Sequence, residues 1–179
     1  MMDKAFRRRA VRAPARLVIA LAVLISGASL LMAKGPSVRQ ENGKYFDKED
    51  NITYNVKDED GAVDWYTYSG FRRYHSECHV CHGPDGLGST YAPALADSMK
   101  TMSYADFLNI VASGRKIVQS DKTSYMPPFG ENLNVMCYVE DLYIYLKARA
   151  DEAVPRGRPM KREDKPQAAT DYEKSCLSR

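Results

Sequence analysis

The sequence predicts a small all-α domain of three main helices, with an extension at each end. Three stretches between Trp65 and Ala150 repeat apolar residues at helical spacing, and no stretch alternates polar and apolar residues over a useful strand length. The 179 residues are enough for one ordinary domain with extensions, and too few for two full-sized domains.

The first 33 residues have the layout of a secretory signal peptide. Basic side chains up to Arg16 precede an apolar run from Leu17 to Ile25, and small residues follow. Cleavage fits after Ala28 or after Ala33. The alternative is an uncleaved membrane anchor, although the 17 residues from Leu17 to Ala33 barely reach the length of a membrane span. We therefore expect export to a bacterial periplasm by the general secretion route.

The net charge of +3 comes from this leader. Residues 1–33 carry six basic side chains and one acidic side chain, which leaves 20 basic and 22 acidic side chains in residues 34–179. A phosphate backbone requires a strongly basic surface, and the remaining chain has no basic stripe. Nucleic-acid binding is therefore not expected.

Two extensions flank the predicted helices. Residues 34–64 form an acidic N-terminal extension, and its weak apolar periodicity predicts an extended, partly ordered arm. Residues 151–179 form a tail rich in proline, arginine and lysine, which predicts a segment lying over another part of the protein. The domain itself is expected at residues 65–150.

The first and last helices are expected to cross closely. Gly70 and Tyr74 precede Cys78 by eight and four residues, so they share one face of the first helix. The last helix repeats apolar residues from Val139 to Ala150. A glycine lets another helix approach, and we expect contacts with residues of the last helix, namely Leu142 and either Tyr145 or Leu146.

The middle helix runs from about Ser103 to Ser113. Ser103 is the expected N-cap, Asp106 occupies the capping-box position, and Gly114 marks the C-terminal end. Its apolar face comprises Phe107, Ile110 and Val111.

The strongest chemical signal is the stretch CHVCH at residues 78–82. A Cys-x-x-Cys-His stretch is the attachment site of c-type haem, in which Cys78 and Cys81 form thioethers and His82 binds the iron. A thioredoxin-type redox pair would need a βαβ context, which the sequence lacks. A structural zinc site would need four ligands, and Cys137 could join the other three. The export signal and a downstream Met-Pro pair favour covalent haem.

The second iron ligand is expected from the loop before the last helix. Met126 opens the stretch MPPFG, whose two prolines hold the backbone extended and present the thioether at a fixed point. His/Met ligation indicates a small mono-haem class I cytochrome c fold, with three main helices around one covalent haem. Three other methionines compete for this role: Met99, Met102 and Met136.

The proximal histidine needs a partner for its other ring nitrogen, because that contact sets the tautomer and the basicity of the ligand. Pro93 is well placed to offer its backbone carbonyl to His82.

Two cysteines, Cys137 and Cys176, are not used by haem. An even pair in an oxidising compartment predicts a disulfide, which would fold the tail back across the domain. Closing a loop of about 40 residues stabilises a fold by roughly 4 kcal/mol on chain-entropy arguments. The alternative is two free thiols, one buried and one exposed.

Beyond these general motifs, the stretches Gly61–Leu95 and Met126–Pro159 resemble the c-type cytochromes of bacterial methanol oxidation. The residues that carry the resemblance are DWY at 64–66, RRY at 72–74, NVMCY at 134–138 and PRGRP at 155–159. More specifically, the sequence is similar to XoxG-like and cytochrome cL-like electron acceptors of methanol dehydrogenases that contain PQQ, in particular the lanthanide-dependent ones.

The resemblance implies a soluble, monomeric, periplasmic electron carrier and not an enzyme. PQQ-dependent methanol dehydrogenase would be its donor, and a downstream c-type cytochrome or oxidase its acceptor. Two filled axial positions leave no place for a substrate on the iron. We expect small, transient partner contacts near Cys78, Cys81 and the Met126 loop, where few cationic side chains are available: Lys100, Arg115, Lys116 and Lys122.

Two other functions stay open at this point. A haem enzyme or gas sensor would need an open sixth position on the iron. A haem c subunit of a membrane-anchored dehydrogenase or oxidase would retain the segment from Leu17 to Ala33 as its anchor.

Overall fold

The structure, a computed structural model, describes residues 35–118, 120 and 123–179. The predicted signal peptide, residues 1–33, lies outside the described residues. The helices are α1 (Trp65–Glu77), α2 (His79–His82), α3 (Leu95–Ser98), α4 (Tyr104–Ser113), α5 (Leu133–Met136), α6 (Val139–Ala150) and α7 (Gln167–Leu177), with a 3₁₀ turn at Pro84–Gly86. None of these helices is long and apolar enough to cross a membrane.

The prediction of an all-α fold is not confirmed, because the described residues also form two small antiparallel sheets. Strands β1 (Arg39–Glu41), β2 (Lys44–Phe46) and β3 (Ile52–Thr53) pair in the order β1-β2-β3. Strands β4 (Arg115–Val118) and β5 (Thr123–Met126) form a hairpin between α4 and α5. Strands of two to four residues are too short for a period-two pattern to be recognised in a sequence.

The first hairpin has a local signal that the prediction missed. Asn42 and Gly43 join β1 to β2, and both have positive φ, 53° and 81°. An Asn-Gly pair with this backbone matches a type I′ turn, whose twist suits a two-residue hairpin.

The segment before α1 contributes to the core, where the sequence predicts an extended, partly ordered arm. Tyr54, Val56 and Val63 are buried in the same apolar cluster as Trp65 and Ile144. Asp64 then caps α1, because its carboxylate accepts hydrogen bonds from the backbone N–H of Thr67 (2.9 Å) and Asn55 (2.8 Å).

The close crossing of α1 and α6 is confirmed. A Cβ atom added at Gly70 would lie 1.9 Å from the backbone oxygen of Asp141 and 2.7 Å from the Cβ of Tyr145. The rings of Tyr74 and Tyr145 pack beside this contact with centroids 5.6 Å apart. Backbone thus meets backbone at Gly70, and only glycine fits there.

Replacing Gly70 by alanine is expected to lower the free energy of unfolding by about 3 kcal/mol or more, because the two helix backbones must move apart. Denaturant unfolding of the holoprotein measures the loss. Gly61→Ala is the matched control, since its added Cβ meets nothing within 4 Å. The only expected loss of stability there comes from placing alanine at a positive φ of 68°, which costs about 1 kcal/mol. Equal losses in the two variants would contradict the crossing.

The middle helix and its caps are as predicted. Ser103 precedes α4, and its hydroxyl accepts a hydrogen bond from the N–H of Asp106 at 3.1 Å. Phe107 and Val111 of the predicted apolar face are buried, whereas Ile110 is half-buried. Gly114 ends the helix with φ of 72°.

The C-terminal tail lies along α1 and ends in a helix that the sequence analysis does not predict. Its backbone pairs with Val63, whose N–H donates to Lys161 (3.1 Å) and whose carbonyl accepts from Glu163 (2.8 Å). Cys176 of α7 forms the predicted disulfide with Cys137, with 5.8 Å between the Cα atoms. The tail is therefore held by backbone hydrogen bonds and a covalent link.

Two buried aspartates, Asp64 and Asp141, are expected to make the free energy of unfolding depend on pH. Burial raises the pKa of Asp141 to about 7 and that of Asp64 to about 6. Because the folded state holds these protons more tightly than the unfolded chain, the free energy of unfolding is expected to fall as pH rises from about 4 to about 7. Denaturant unfolding across this range measures the slope. Asp141→Asn should flatten the slope, and the exposed control Asp164→Asn should not; an unchanged slope in the first would contradict this.

Candidate functional site

The CHVCH stretch lies where α1 gives way to α2. The N–H of Cys78 donates to Tyr74 O at 2.9 Å, and the N–H of His82 donates to Cys78 O at 3.0 Å, so helical hydrogen bonds continue through the motif. Cys78 and Cys81 are free and three residues apart, which places them on one side of the helical turn. Cys78 is partly buried, whereas Cys81 is exposed.

His82 is buried, with 8% of its surface exposed, and one ring nitrogen has a partner. Its Nδ1 lies 2.9 Å from the backbone oxygen of Pro93, the carbonyl expected from the sequence. A carbonyl only accepts, so Nδ1 carries the proton and Nε2 keeps the lone pair that binds a metal.

The loop after His82 is closed by contacts that only glycine allows. A Cβ at Gly83, where φ is 72°, would lie 2.1 Å from Gly88 O. The N–H of Gly88 donates to His82 O at 2.7 Å, and the Tyr74 hydroxyl donates to Gly83 O at 2.6 Å. These contacts tie the loop to both α1 and the motif.

Asp85 links the same loop to the C-terminal tail, a role that the sequence analysis missed. Its buried carboxylate accepts from the N–H of Gly157 (3.0 Å) and lies 3.4 Å from Nε of Arg156. Its backbone oxygen accepts from Nε of Arg149 at 3.2 Å. The only local signal is the Asp-Gly pair at residues 85–86, which is typical of a turn.

Met126 ends β5 and is held near the end of α4. A Cβ at Gly114 would lie 2.6 Å from Met126 O and 2.7 Å from Pro128 N, so glycine is required for the Met-Pro-Pro segment to pass there. Met126 and Cys78 pack against the same apolar cluster, which includes Phe107 and Val111. The structure therefore brings the predicted haem attachment site and the predicted methionine ligand to one apolar cluster.

The rival methionines belong to that cluster as well. Met99 is fully buried within it, at 0% exposure, and Met102 and Met136 pack against it while partly buried. Of the four, Met126 alone lies on the segment stiffened by two prolines.

The state of the cysteines argues against the two alternatives to haem, a thioredoxin-type redox pair and a structural zinc site. Burial raises the pKa of the Cys78 thiol to about 12, which opposes the reactive thiolate that a redox pair requires. Cys137 is bonded to Cys176 and is unavailable to a zinc site. Within the described part of the chain, no group of three or more His, Cys, Asp and Glu side chains could hold a metal ion.

The residues present fit a covalent haem. Two free thiols at the spacing of the attachment motif lie beside an imidazole whose Nδ1 is hydrogen-bonded to the Pro93 carbonyl. An apolar cluster adjoins them. A methionine packs against the same cluster.

Comparison with known proteins agrees with this site. The family model described as cytochrome c oxidase, cbb3-type, subunit III matches residues 67–146. Cytochrome c-553I of Paracoccus denitrificans is 51% identical over 160 residues, covering 88% of this chain and 70% of that protein. Cytochrome c-555 of Methylococcus capsulatus is 41% identical over 96 residues, covering 53% of this chain and 72% of that protein.

A solved structure shares the fold. The crystal structure of c-type cytochrome XoxG from Methylobacterium extorquens AM1 superposes with a TM-score of 0.72 at 56% sequence identity, covering 79% of this chain and 86% of that chain. Together with the haem attachment motif and the tied histidine, these similarities show that the chain belongs to the c-type cytochromes and that its cofactor is covalently bound haem c.

Proposed function

We propose that this chain is a periplasmic one-electron carrier that takes electrons from a PQQ-dependent methanol dehydrogenase of the lanthanide-dependent type. A downstream c-type cytochrome or oxidase would be the acceptor. The observation that carries the proposal is the 56% identity with the cytochrome XoxG over 79% of this chain. It agrees with the methanol-oxidation resemblance of residues 61–95 and 126–159.

In this proposal Cys78 and Cys81 would hold the porphyrin covalently, and His82 and Met126 would ligate the haem iron. Bound haem supplies a one-electron couple. The Pro93 carbonyl fixes the tautomer of His82 and raises its basicity. Because two side chains would ligate the iron, no open site would remain there for a substrate, which favours a carrier over an enzyme or a gas sensor.

The apolar cluster beside the CHVCH motif would help to set the reduction potential of the haem. Phe107, Val111 and Leu142 are buried there, at 7% exposure or less. A wall of this kind excludes water and lowers the local dielectric, and burial is one of the means by which a protein sets the reduction potential of haem.

Reduction by the proposed donor tests the function. The purified ferric holoprotein would be mixed with a lanthanide-dependent methanol dehydrogenase and methanol, and reduction followed in the visible bands. Calcium-dependent methanol dehydrogenase and PQQ dehydrogenases for ethanol and glucose are the controls. We expect the fastest reduction with the lanthanide enzyme, and no reduction by either methanol enzyme would refute the proposal.

A second candidate is a haem c subunit of a membrane-anchored dehydrogenase or oxidase. The observation in its favour is the oxidase-subunit family model that matches residues 67–146. This candidate requires the segment 17–33 to remain as an anchor. Cell fractionation separates the two: holoprotein in the soluble periplasmic fraction supports the carrier, and holoprotein in washed membranes supports the subunit.

A further inference from the structure

A group of arginines lies on the outer side of α1 and on the tail that crosses it. We call this surface the arginine face; its members are Arg72, Arg158 and Arg162. Within the described part of the chain, none of the three forms an ion pair with a carboxylate, whereas Arg156 beside them pairs with Asp85.

Aromatic side chains hold two of these arginines in place. The guanidinium carbon of Arg162 lies 4.9 Å from the centre of the Trp65 ring. Arg158 donates to the Tyr68 hydroxyl at 2.5 Å. Guanidinium groups stacked or bonded in this way lose little further freedom when they bind a carboxylate.

A groove opens between two members of this face. It has a volume of about 320 Å³, and Arg72 and Arg158 flank a wall formed by Tyr68, Phe71, His75 and Ser76. The His75 ring packs against Phe71 with ring centroids 4.2 Å apart and a tilt of 42° between the planes. Because His75 precedes Cys78 by three residues, the groove opens about one helical turn from a haem attachment point.

The charge of the face contrasts with that of the chain. Residues 34–179 carry more acidic than basic side chains, yet this face presents three cations without carboxylate partners among the described residues. The cations that the sequence suggested for partner contact are placed differently: Arg115 and Lys116 are exposed on β4, Lys100 follows α3, and Lys122 lies outside the described residues.

The segments that build the face also carry the narrower resemblance. RRY at 72–74 and PRGRP at 155–159 are two of the four stretches that resemble methanol-oxidation cytochromes, whereas the haem motifs are general. A docking surface made of these segments would serve the partner specific to that group.

We propose that the arginine face is the docking surface for an acidic segment of the electron-donating dehydrogenase, whose carboxylates bind Arg72 and Arg158 at the groove. The identity of that donor rests on the proposed function. Guanidinium groups bind carboxylates in a bidentate manner, and opposite charge at the contact raises the rate of encounter.

The first test measures the second-order rate constant for reduction of the ferric holoprotein by the methanol dehydrogenase. The double variant Arg72→Gln/Arg158→Gln is expected to react about fivefold more slowly at low salt, and the difference should vanish at high salt. Lys48→Gln/Lys174→Gln removes the same charge from exposed positions elsewhere and should leave the rate constant unchanged. A larger loss in Arg115→Gln/Lys116→Gln than in the arginine variant would overturn the proposal.

The second test does not depend on the donor. An octaglutamate peptide is titrated into ¹⁵N-labelled ferrous holoprotein, and shifts are expected at residues 68–76 and 158 that are lost in Arg72→Gln/Arg158→Gln. Peptide shifts elsewhere, or equal shifts in the variant, would overturn the docking surface. If the dehydrogenase does not reduce the wild-type protein, the proposed function fails, and the peptide result still decides whether the face binds acidic segments.

Discussion

Replacing His82 by alanine is expected to abolish the accumulation of holoprotein. The substitution removes the imidazole that Pro93 orients, and haem fills much of the core of a domain this small. Haem staining of denatured protein and the visible spectrum of the periplasmic fraction measure the loss.

His79→Ala is the matched control for this prediction. It removes an imidazole from the same motif, but from one of the two intervening positions, and it should retain covalent haem. An abundant, folded apoprotein from His82→Ala would contradict the dependence of folding on haem.

Replacing Met126 by alanine is expected to leave haem attached while opening the sixth position of the iron. The reduction potential should fall and exogenous ligands should bind, since methionine ligation raises the potential. Redox titration and carbon monoxide binding to the ferrous protein measure both effects. Met160→Ala is the control, because Met160 is 92% exposed.

The ferric charge-transfer band that is characteristic of methionine ligation should disappear in Met126→Ala. Its retention would move the assignment to one of the other methionines of the apolar cluster, Met99, Met102 or Met136.

The helices that form the haem-binding domain could be predicted because their signals are local. Ser103 and Gly114 mark the ends of α4, and the spacing of Gly70 and Tyr74 indicates the crossing face of α1. The sheets could not be predicted in this way, because strands of two to four residues contain too few alternations. The Asn42-Gly43 turn was the one local signal available for them.

The same distinction applies to the functional site: features that are contiguous in the sequence could be predicted, and long-range contacts could not. The CHVCH stretch is contiguous, so its chemistry can be read directly from the sequence. Asp85 depends on Gly157, 72 residues away, and the arginine face joins α1 to a tail more than 80 residues later. No local pattern in the sequence indicates which residues meet in either arrangement, because both depend on a tail that backbone hydrogen bonds hold beside Val63.

The disulfide between Cys137 and Cys176 has a consequence for the order of events during synthesis. The four cysteines are made in the order 78, 81, 137 and 176, so Cys137 is available before its native partner exists. During that interval the only cysteines that Cys137 can oxidise with inside the chain are the two that haem requires. We therefore expect correct maturation to require that haem attachment or a reductant keeps Cys78 and Cys81 from bonding to Cys137. Any such bond that does form must be reopened by thiol–disulfide exchange before haem can be attached.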